Sequence, residues 1–339
     1  KSPGAIRGPA PVLGADTASV RQDGWRAKGL EMRAPIRSLN HPLEDITVVE
    51  FSSWFASPFG DRLLSDLGAD VIKVEPLHGD GLRALPDPWD GANRGKRSIA
   101  LDLKAPETHE IILRLMEKAD VVQNNMRPGV GERLGIDYEA ARRVNPDVIY
   151  DFAPGYGSSG PKAQLQSFAP LLGGFTGLMS LFGGPGNAPH VGFGNEDYFN
   201  GQLVAISVLL GLVHREMTGQ GQYIEGPQLH SSLLVTSEWY LQDGQPRTRM
   251  PQLDSDQAGF GTYNRIYQCM DGWIAVECRD QTQIAALHNT VLPCGTTAPN
   301  DARQALDALT YELFGATTSD WQDRLGSAGV PCEIVFEEN

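Results

Sequence analysis

The chain has 339 residues, 41% hydrophobic and 21% charged, a globular composition with length enough for two domains. A formal charge of −14 speaks against nucleic acid as a partner, because neutralising phosphates needs a basic face; a few converging Arg and Lys would still hold a small anion. Cys269, Cys278, Cys294 and Cys332 form no C-x-x-C pair, so neither a disulfide framework nor a zinc site is signalled and a reducing cytoplasm is the expected setting. No apolar run reaches about 18 residues, so no transmembrane helix and no membrane partner are expected. The start KSPGAIRGPAPVLG lacks the apolar stretch of a signal peptide.

Residues 1–41, rich in Pro, Gly and Arg, read as a tail or linker. ITVVEFS (46–52) predicts a buried strand, and FGDRLLSDLG a helix stopped by Gly68. Strands follow at DVIKVEP (70–76), RSIALDL (97–103), ADVVQNN (119–125) and DVIYDFAPGYG (147–157). PETHEIILRLMEKA (106–119) predicts a helix with Ile111, Leu113, Leu115 and Met116 inward. Helices are expected at 167–181, 197–218 and near 225–240, with GQGQ (219–222) stopping the second. An Asp/Gln-rich connection leads to a hairpin, YNRIYQC–MDG–WIAVEC (263–278), turning at Asp271-Gly272. SDWQDRLGSAG is a last helix and VPCEIVFEEN a last strand.

Alternating strands and helices imply an open, mostly parallel Rossmann-like sheet covered by helices on both faces, plus a smaller α/β domain. Ligands of such sheets bind beyond the carboxyl ends of the strands, where FSSWFASPFG, VEPLHGDGLR, NNMRPGVGER and APGYGSSGP lie. No G-x-G-x-x-G follows the first strand and no G-x-x-x-x-G-K-[ST] occurs, so neither a dinucleotide site nor a P-loop is supported. Arg94, Lys96, Arg97 and Lys104 in NRGKRSIALDLK are placed either to meet nucleotide phosphates or to guard a solvated strand edge. RPGVGERLG, with Arg127 and Arg133, repeats the theme around a tight turn. Trp54 and Phe55 suit either an acyl pocket or core packing. Asp197, in GNEDYFNGQ at the mouth of a long apolar helix, suits a helix cap. It equally suits a carboxylate nucleophile, with the Gly-rich HVGFGNE before it giving a thioester close approach. Local sequence leaves both readings open.

The ordered run LEDITVVEFSSWFASPFGDRLLSDLGADVIKVEP, GDGLR, NRGKRSIALDLK, ADVVQNNMRPGVGERLGIDYE and NPDVIYDFAPGYGSSGP, continuing through TGQGQYIE and MDGWIAVE to DRLGSAGVPCEIV, resembles the class III CoA-transferases. That group holds formyl-CoA and carnitine CoA-transferases and the α-methylacyl-CoA racemases. The resemblance implies a CoA-transferase that moves CoA from an acyl-CoA donor to a carboxylic acid acceptor, with coenzyme A entering as substrate and no metal. It implies Asp197 as covalent nucleophile, forming first a mixed anhydride and then an enzyme-CoA thioester, with water kept out of both. The family's CoA-contacting positions map onto Leu101, Lys104, Asn125, Met126, Arg133 and Leu134, and Trp54 and Phe55 would line the acyl side.

The sequence also departs from the family. Members carry an acid, or a His-acid pair in the racemases, where this chain has Phe168 and Ala169. Racemisation needs two proton-transfer groups, so a racemase is not expected. Formyl-CoA transferases have Gln where Phe55 stands, so oxalate is not supported and a bulkier acyl group fits better. AGFG (258–261) corresponds to the family's glycine loop over the active site. GAIRGPAPVLGADTASVRQDG (4–24) looks like the tail of a preceding class III domain. The expected organisation is therefore a tail and linker (1–42), a large CoA-binding domain (43–223), and a connecting helix with a small, incomplete domain (224–339). The resemblance further implies two halves interlocked as a homodimer or as a fused tandem pseudo-dimer. Two alternatives stand beside the transferase: a degenerate CoA-binding half of a tandem enzyme, and a domain of a CoA-transferase/lyase fusion.

Overall fold

The computed structural model describes residues 40–192, 195–248, 251–295, 299 and 301–336. The segment 4–24, expected to be a domain tail, lies outside them, as do Phe193 and Gly194 before Asp197. The elements in chain order are β1 (Thr47–Glu50), α1 (Ala56–Asp66), β2 (Asp70–Glu75), α2 (Pro86–Asn93), β3 (Arg97–Ala100), α3 (His109–Lys118), β4 (Val121–Asn124), α4 (Val130–Leu134), α5 (Tyr138–Val144) and β5 (Ile149–Phe152). They continue as α6 (Ala169–Thr176), α7 (Leu178–Gly183), α8 (Asn195–Thr218), β6 (Gln222–Glu225), α9 (Gln228–Val235), β7 (Trp239–Gln242), β8 (Gln245–Thr248) and β9 (Gly259–Gly261). The last are β10 (Asn264–Gln268), β11 (Trp273–Glu277), α10 (Gln281–Val291), α11 (Ala302–Leu313), α12 (Thr318–Ser327) and β12 (Cys332–Val335).

The described residues form two compact units: 40–166 with Asp197–Gln228, and Ser167–Glu196 with the described residues from Leu229 on. The first is built on a six-stranded sheet in the order β3-β2-β1-β4-β5-β6, parallel throughout. Alternation along the strands supplies two faces. Val49, Val74, Val122 and Tyr150 pack with Ile112 and Met116 of α3 on one face. Val48, Val71, Val121 and Ile149 pack with Leu64 of α1 and Ala205 and Val208 of α8 on the other. The expected inward set of α3 is corrected in one place: Ile112 and Met116 are fully buried and Ile111 is 42% exposed. Ile112 and Met116 stand four apart on one helical stripe, and Ile111 lies beside it.

The open α/β sheet expected from the sequence is thus present, and Gly68, in the left-handed region at φ +103°, does end α1. Among the elements that escaped the sequence reading are three strands. β6 completes the sheet beside β5, and β7 and β8 pair as a hairpin inside what reads as an Asp/Gln-rich connection. In the second unit an antiparallel sheet runs β12-β11-β10-β9 over a core of Tyr267, Ile274, Leu287, Leu309, Trp321 and Leu325. The hairpin turning at Asp271-Gly272 joins β10 to β11 as expected. AGFG is an edge strand rather than a loop: Gly259 lies so close to β10 that a side chain there would collide with Arg265. No helix among the described residues is long and apolar enough to cross a membrane.

Candidate active site

The strand order reverses between β1 and β4, so the loops leaving these two strands flank the crevice where doubly wound sheets take ligands. Asn125 clamps the two loops together. Its Nδ2 donates to the Ser53 carbonyl at 2.8 Å and its Oδ1 accepts from the Ser53 N–H at 3.0 Å. Next along the β1 loop, Trp54 takes φ +65°, a conformation that costs a bulky residue about 1–3 kcal/mol. The Asp80 carboxylate offsets this by accepting from the Trp54 N–H at 3.1 and 3.2 Å. It also accepts from Leu82 N–H at 2.9 Å and pairs with Lys73 at 3.0 Å. The strained loop leaves the Trp54 ring 46% exposed.

Asp197 lies in the first turn of α8, two residues beyond its start, where the positive helix end favours a negative charge. Two contacts carry this turn to the start of α1. Gly60 and Gly201 approach so closely that a Cβ on Gly201 would lie 2.7 Å from the Ala56 carbonyl and 2.9 Å from the Gly60 nitrogen. Tyr198 packs edge-on to Phe55 and Phe59, at 4.8 and 5.0 Å between centroids. Asp197 itself is half-buried, and its Oδ1 accepts a hydrogen bond from Gln228 Nε2. Gln228 is fixed in turn: it is 7% exposed and its N–H donates to the Pro154 carbonyl at 2.9 Å. Asn200, one turn after Asp197, donates to the Gly226 carbonyl at 3.3 Å and pins the same turn.

Beneath these loops runs a buried polar row. Lys73, Glu50, Gln123 and Asp151 are in register across β2, β1, β4 and β5, on the face that carries Val71, Val48, Val121 and Ile149 two residues earlier. Lys73 Nζ donates to Glu50 Oε1 at 2.9 Å, the Ser52 carbonyl at 3.0 Å and Asp80. Lys96 Nζ donates to Glu50 Oε2 at 2.6 Å, the Pro58 carbonyl at 2.8 Å and Asn93 Oδ1 at 3.2 Å. Burial by itself would raise the Glu50 carboxyl, but the two ammonium groups outweigh it and hold it below its ordinary value. Asp61 of α1 feels the same two lysines, but burial, with the Glu50 charge beside it, outweighs them and pushes it well above the carboxylate range.

Burial likewise pushes Asp151 up to about 7. The unfolded chain gives up this proton near pH 3.9, while the native state holds it until about 7. Stability therefore falls as pH rises across that window and levels off above it. Asp151→Asn removes the decline. The variant should match the parent near pH 4 and exceed it at pH 8 by about 2–4 kcal/mol, read from urea unfolding at both pH values. An equal difference at both would place the Asp151 carboxyl in water.

A model of CoA-transferase family III matches residues 43–337. The chain belongs to that family. It is 32% identical over 308 residues to the succinate–glutarate CoA-transferase of Agrobacterium fabrum, covering 84% of this chain and 76% of that one. It is 33% identical to the succinyl-CoA–D-citramalate CoA-transferase of Chloroflexus aurantiacus, covering 87% and 78%. A solved CAIB/BAIF family protein from Brucella suis superposes with a TM-score of 0.76 at 30% identity, over 87% of this chain and 84% of that one. The family and the fold expected from the sequence are borne out, and the chain is a transferase.

The positions singled out from the sequence fall unevenly around this transferase's crevice. Trp54, Phe55 and Asn125 lie on the clamped loops and Asp197 on α8. Leu101 is a core residue, 7% exposed, and Met126 and Leu134 are partly buried against the same cluster. Lys104 and Arg133 are exposed and make no ion pair among the described residues, which leaves their charges available to an anion. Of the basic string around them, Lys96 is sealed against Glu50 and is a structural cation, while Arg97 pairs with Asp70 and Arg94 with Asp66 on the exposed surface. Ala169 begins α6 and is 4% exposed. Gln228, Asp80 and Tyr198 escaped the sequence reading. The one available signal was the charge at the same depth of neighbouring buried strands, in VVEF and VIKVE, since an unpaired charge is not tolerated there.

Proposed function

We propose that this chain transfers CoA from an acyl-CoA donor to a carboxylic acid through covalent intermediates on Asp197. The observation that supports the reading is the seating of the Asp197 carboxylate: first turn of a 24-residue helix, half-buried, and held at Oδ1 by Gln228. A carboxylate nucleophile needs a fixed orientation, an environment that favours its anion, and limited water. In this reading Trp54 and Phe55 face the acyl chain, the Asn125 clamp shapes the pantetheine entry, and Lys104 and Arg133 meet CoA phosphates. Residues Leu101, Met126 and Leu134 would serve through their backbone and partly exposed surface. Among the described residues no group of three His, Cys, Asp or Glu is arranged to hold a metal ion, and the chemistry needs only the carboxylate.

The named relatives act on short dicarboxylic acids, among them succinate, glutarate and D-citramalate, and we extend that substrate class to this chain. The test is intact-protein mass after incubation with succinyl-CoA or acetyl-CoA, with and without hydroxylamine. An adduct that hydroxylamine removes supports the reading. CoA binding without any adduct would favour a non-catalytic CoA-binding half, for which the absence of a carboxylate at Ala169 is the motivating observation.

We extend the proposal to a paired assembly. Ile206, Leu210, Val213 and Met217 form one stripe of α8 and are 50%, 63%, 56% and 80% exposed, an apolar seam of the kind that a second copy covers. Sedimentation of the full chain is expected to give twice the chain mass. A single-chain mass at micromolar concentration would remove the pairing.

A further inference from the structure

Resting on Asp197 as the nucleophile, we infer that Gln228 stabilises the oxyanion formed at the Asp197 carbonyl whenever sulfur or a carboxylate attacks it. A carboxylate only accepts hydrogen bonds, so the group facing Asp197 Oδ1 is the Gln228 amide N–H. That donor is buried, and its backbone is tied to the end of β5 through Pro154 and, by the Asn200 to Gly226 bond, to α8 itself. It is therefore aimed at one oxygen before reaction begins, which is the arrangement that makes an oxyanion donor effective.

The chemistry assigns that oxygen a task. Oδ2 attacks the acyl-CoA carbonyl carbon. A C–O bond forms, the C–S bond breaks, and CoA leaves as its thiolate, giving a mixed anhydride whose carbonyl on the enzyme side is Cγ–Oδ1. The thiolate then attacks Cγ. A C–S bond forms and the π pair moves onto Oδ1 as an oxyanion. As the carbonyl re-forms, the Cγ–Oδ2 bond breaks and the donor acid leaves as its carboxylate, carrying Oδ2. The acceptor carboxylate next attacks Cγ of the enzyme thioester and again places the charge on Oδ1, and CoA thiolate is expelled. The returning thiolate attacks the acceptor's acyl carbon and releases Asp197 with a new oxygen. Gln228 thus serves the two attacks at Cγ and neither attack at an acyl carbon. This asymmetry separates it from a residue that merely holds Asp197 in place.

The experiment compares the full-length parent with Gln228→Met, Gln228→Glu and Asp197→Asn, using succinyl-CoA and acetyl-CoA, and weighs the acyl adduct against the CoA adduct by intact mass after rapid quench. Loss of one oxyanion donor costs about 10²–10³ in rate. Gln228→Met should therefore lower kcat about 100-fold with KM for acyl-CoA changed less than about twofold, and shift the trapped material from the CoA adduct toward the acyl adduct at least tenfold. Gln228→Glu keeps the side-chain size, so the fold is retained if removal of the amide proves too costly. Its activity should appear only at low pH, where the carboxyl bears a proton to donate, and fade as pH rises. A parent-like adduct ratio in Gln228→Met, or equal loss of both adducts, would overturn the assignment, as would a pH-independent Gln228→Glu. Persistence of adducts in Asp197→Asn would instead overturn the nucleophile, a separate result.

Discussion

Asp197→Asn is expected to lower kcat by at least about 10³-fold, the scale of losing a covalent nucleophile, while leaving CoA binding within a few-fold of the parent. The amide keeps the volume and the first-turn position in α8 but has no anionic oxygen with which to attack a thioester. It also turns a favourable contact into an ambiguous one, since Gln228 Nε2 then faces a group that both donates and accepts. The loss should fall on kcat rather than on KM, because in this reading CoA is held by Lys104, Arg133 and the β1 and β4 loops. Steady-state kinetics with succinyl-CoA, alongside equilibrium binding of CoA, separates the two. A decrease smaller than about tenfold would return Asp197 to the role of a helix-start acid.

The largest effect on stability is expected at Lys96. Its ammonium group is 2% exposed at the side chain and Glu50 is fully buried, so Lys96→Met leaves a buried carboxylate with one ammonium partner in place of two. Breaking a buried pair on one side costs about 3–5 kcal/mol, a large part of the roughly 5–15 kcal/mol that holds most domains folded. The Pro58 carbonyl and the Asn93 amide oxygen lose their donor at the same time. Removing the anion as well, in Glu50→Gln with Lys96→Met, should cost less than the sum of the two single changes by about 1–3 kcal/mol, because the two groups are directly coupled. Urea midpoints at fixed m-value test this. A single-variant loss under about 1 kcal/mol would mean that water reaches Glu50 and the cluster is not sealed.

The sheet was legible because its strands are short apolar runs such as ITVVEFS and DVIKVEP, separated by turn residues and amphipathic helices. QYIE was missed as β6 because it is only four residues long and its first, Gln222, belongs to the GQGQ read as a helix stop. For the site, a carboxylate at a helix mouth was visible, and so was the loop-rich end of the sheet. The partners of that carboxylate were not. Gln228 lies 31 residues from Asp197, and no local spacing announces a contact that only the β5–β6 pairing and the Asn200 bond create. The basic residues could not be told apart for a similar reason. In NRGKRSIALDLK, Lys96 and Lys104 look alike, and only the three-dimensional position of Glu50 turns one inward and leaves the other in water.

The two sealed lysines carry a further consequence for a protein that handles activated acyl groups. A free lysine amine is a nucleophile, and beside a thioester or an anhydride it would capture the acyl group as an amide that no later step could release. Lys73 and Lys96 each donate to three acceptors, which uses every N–H of an ammonium group and leaves the nitrogen no lone pair. Glu50 therefore does more than balance charge. Its charge favours the ammonium form of both primary amines under the crevice, the form without a nucleophilic lone pair, against the burial that lowers Lys96.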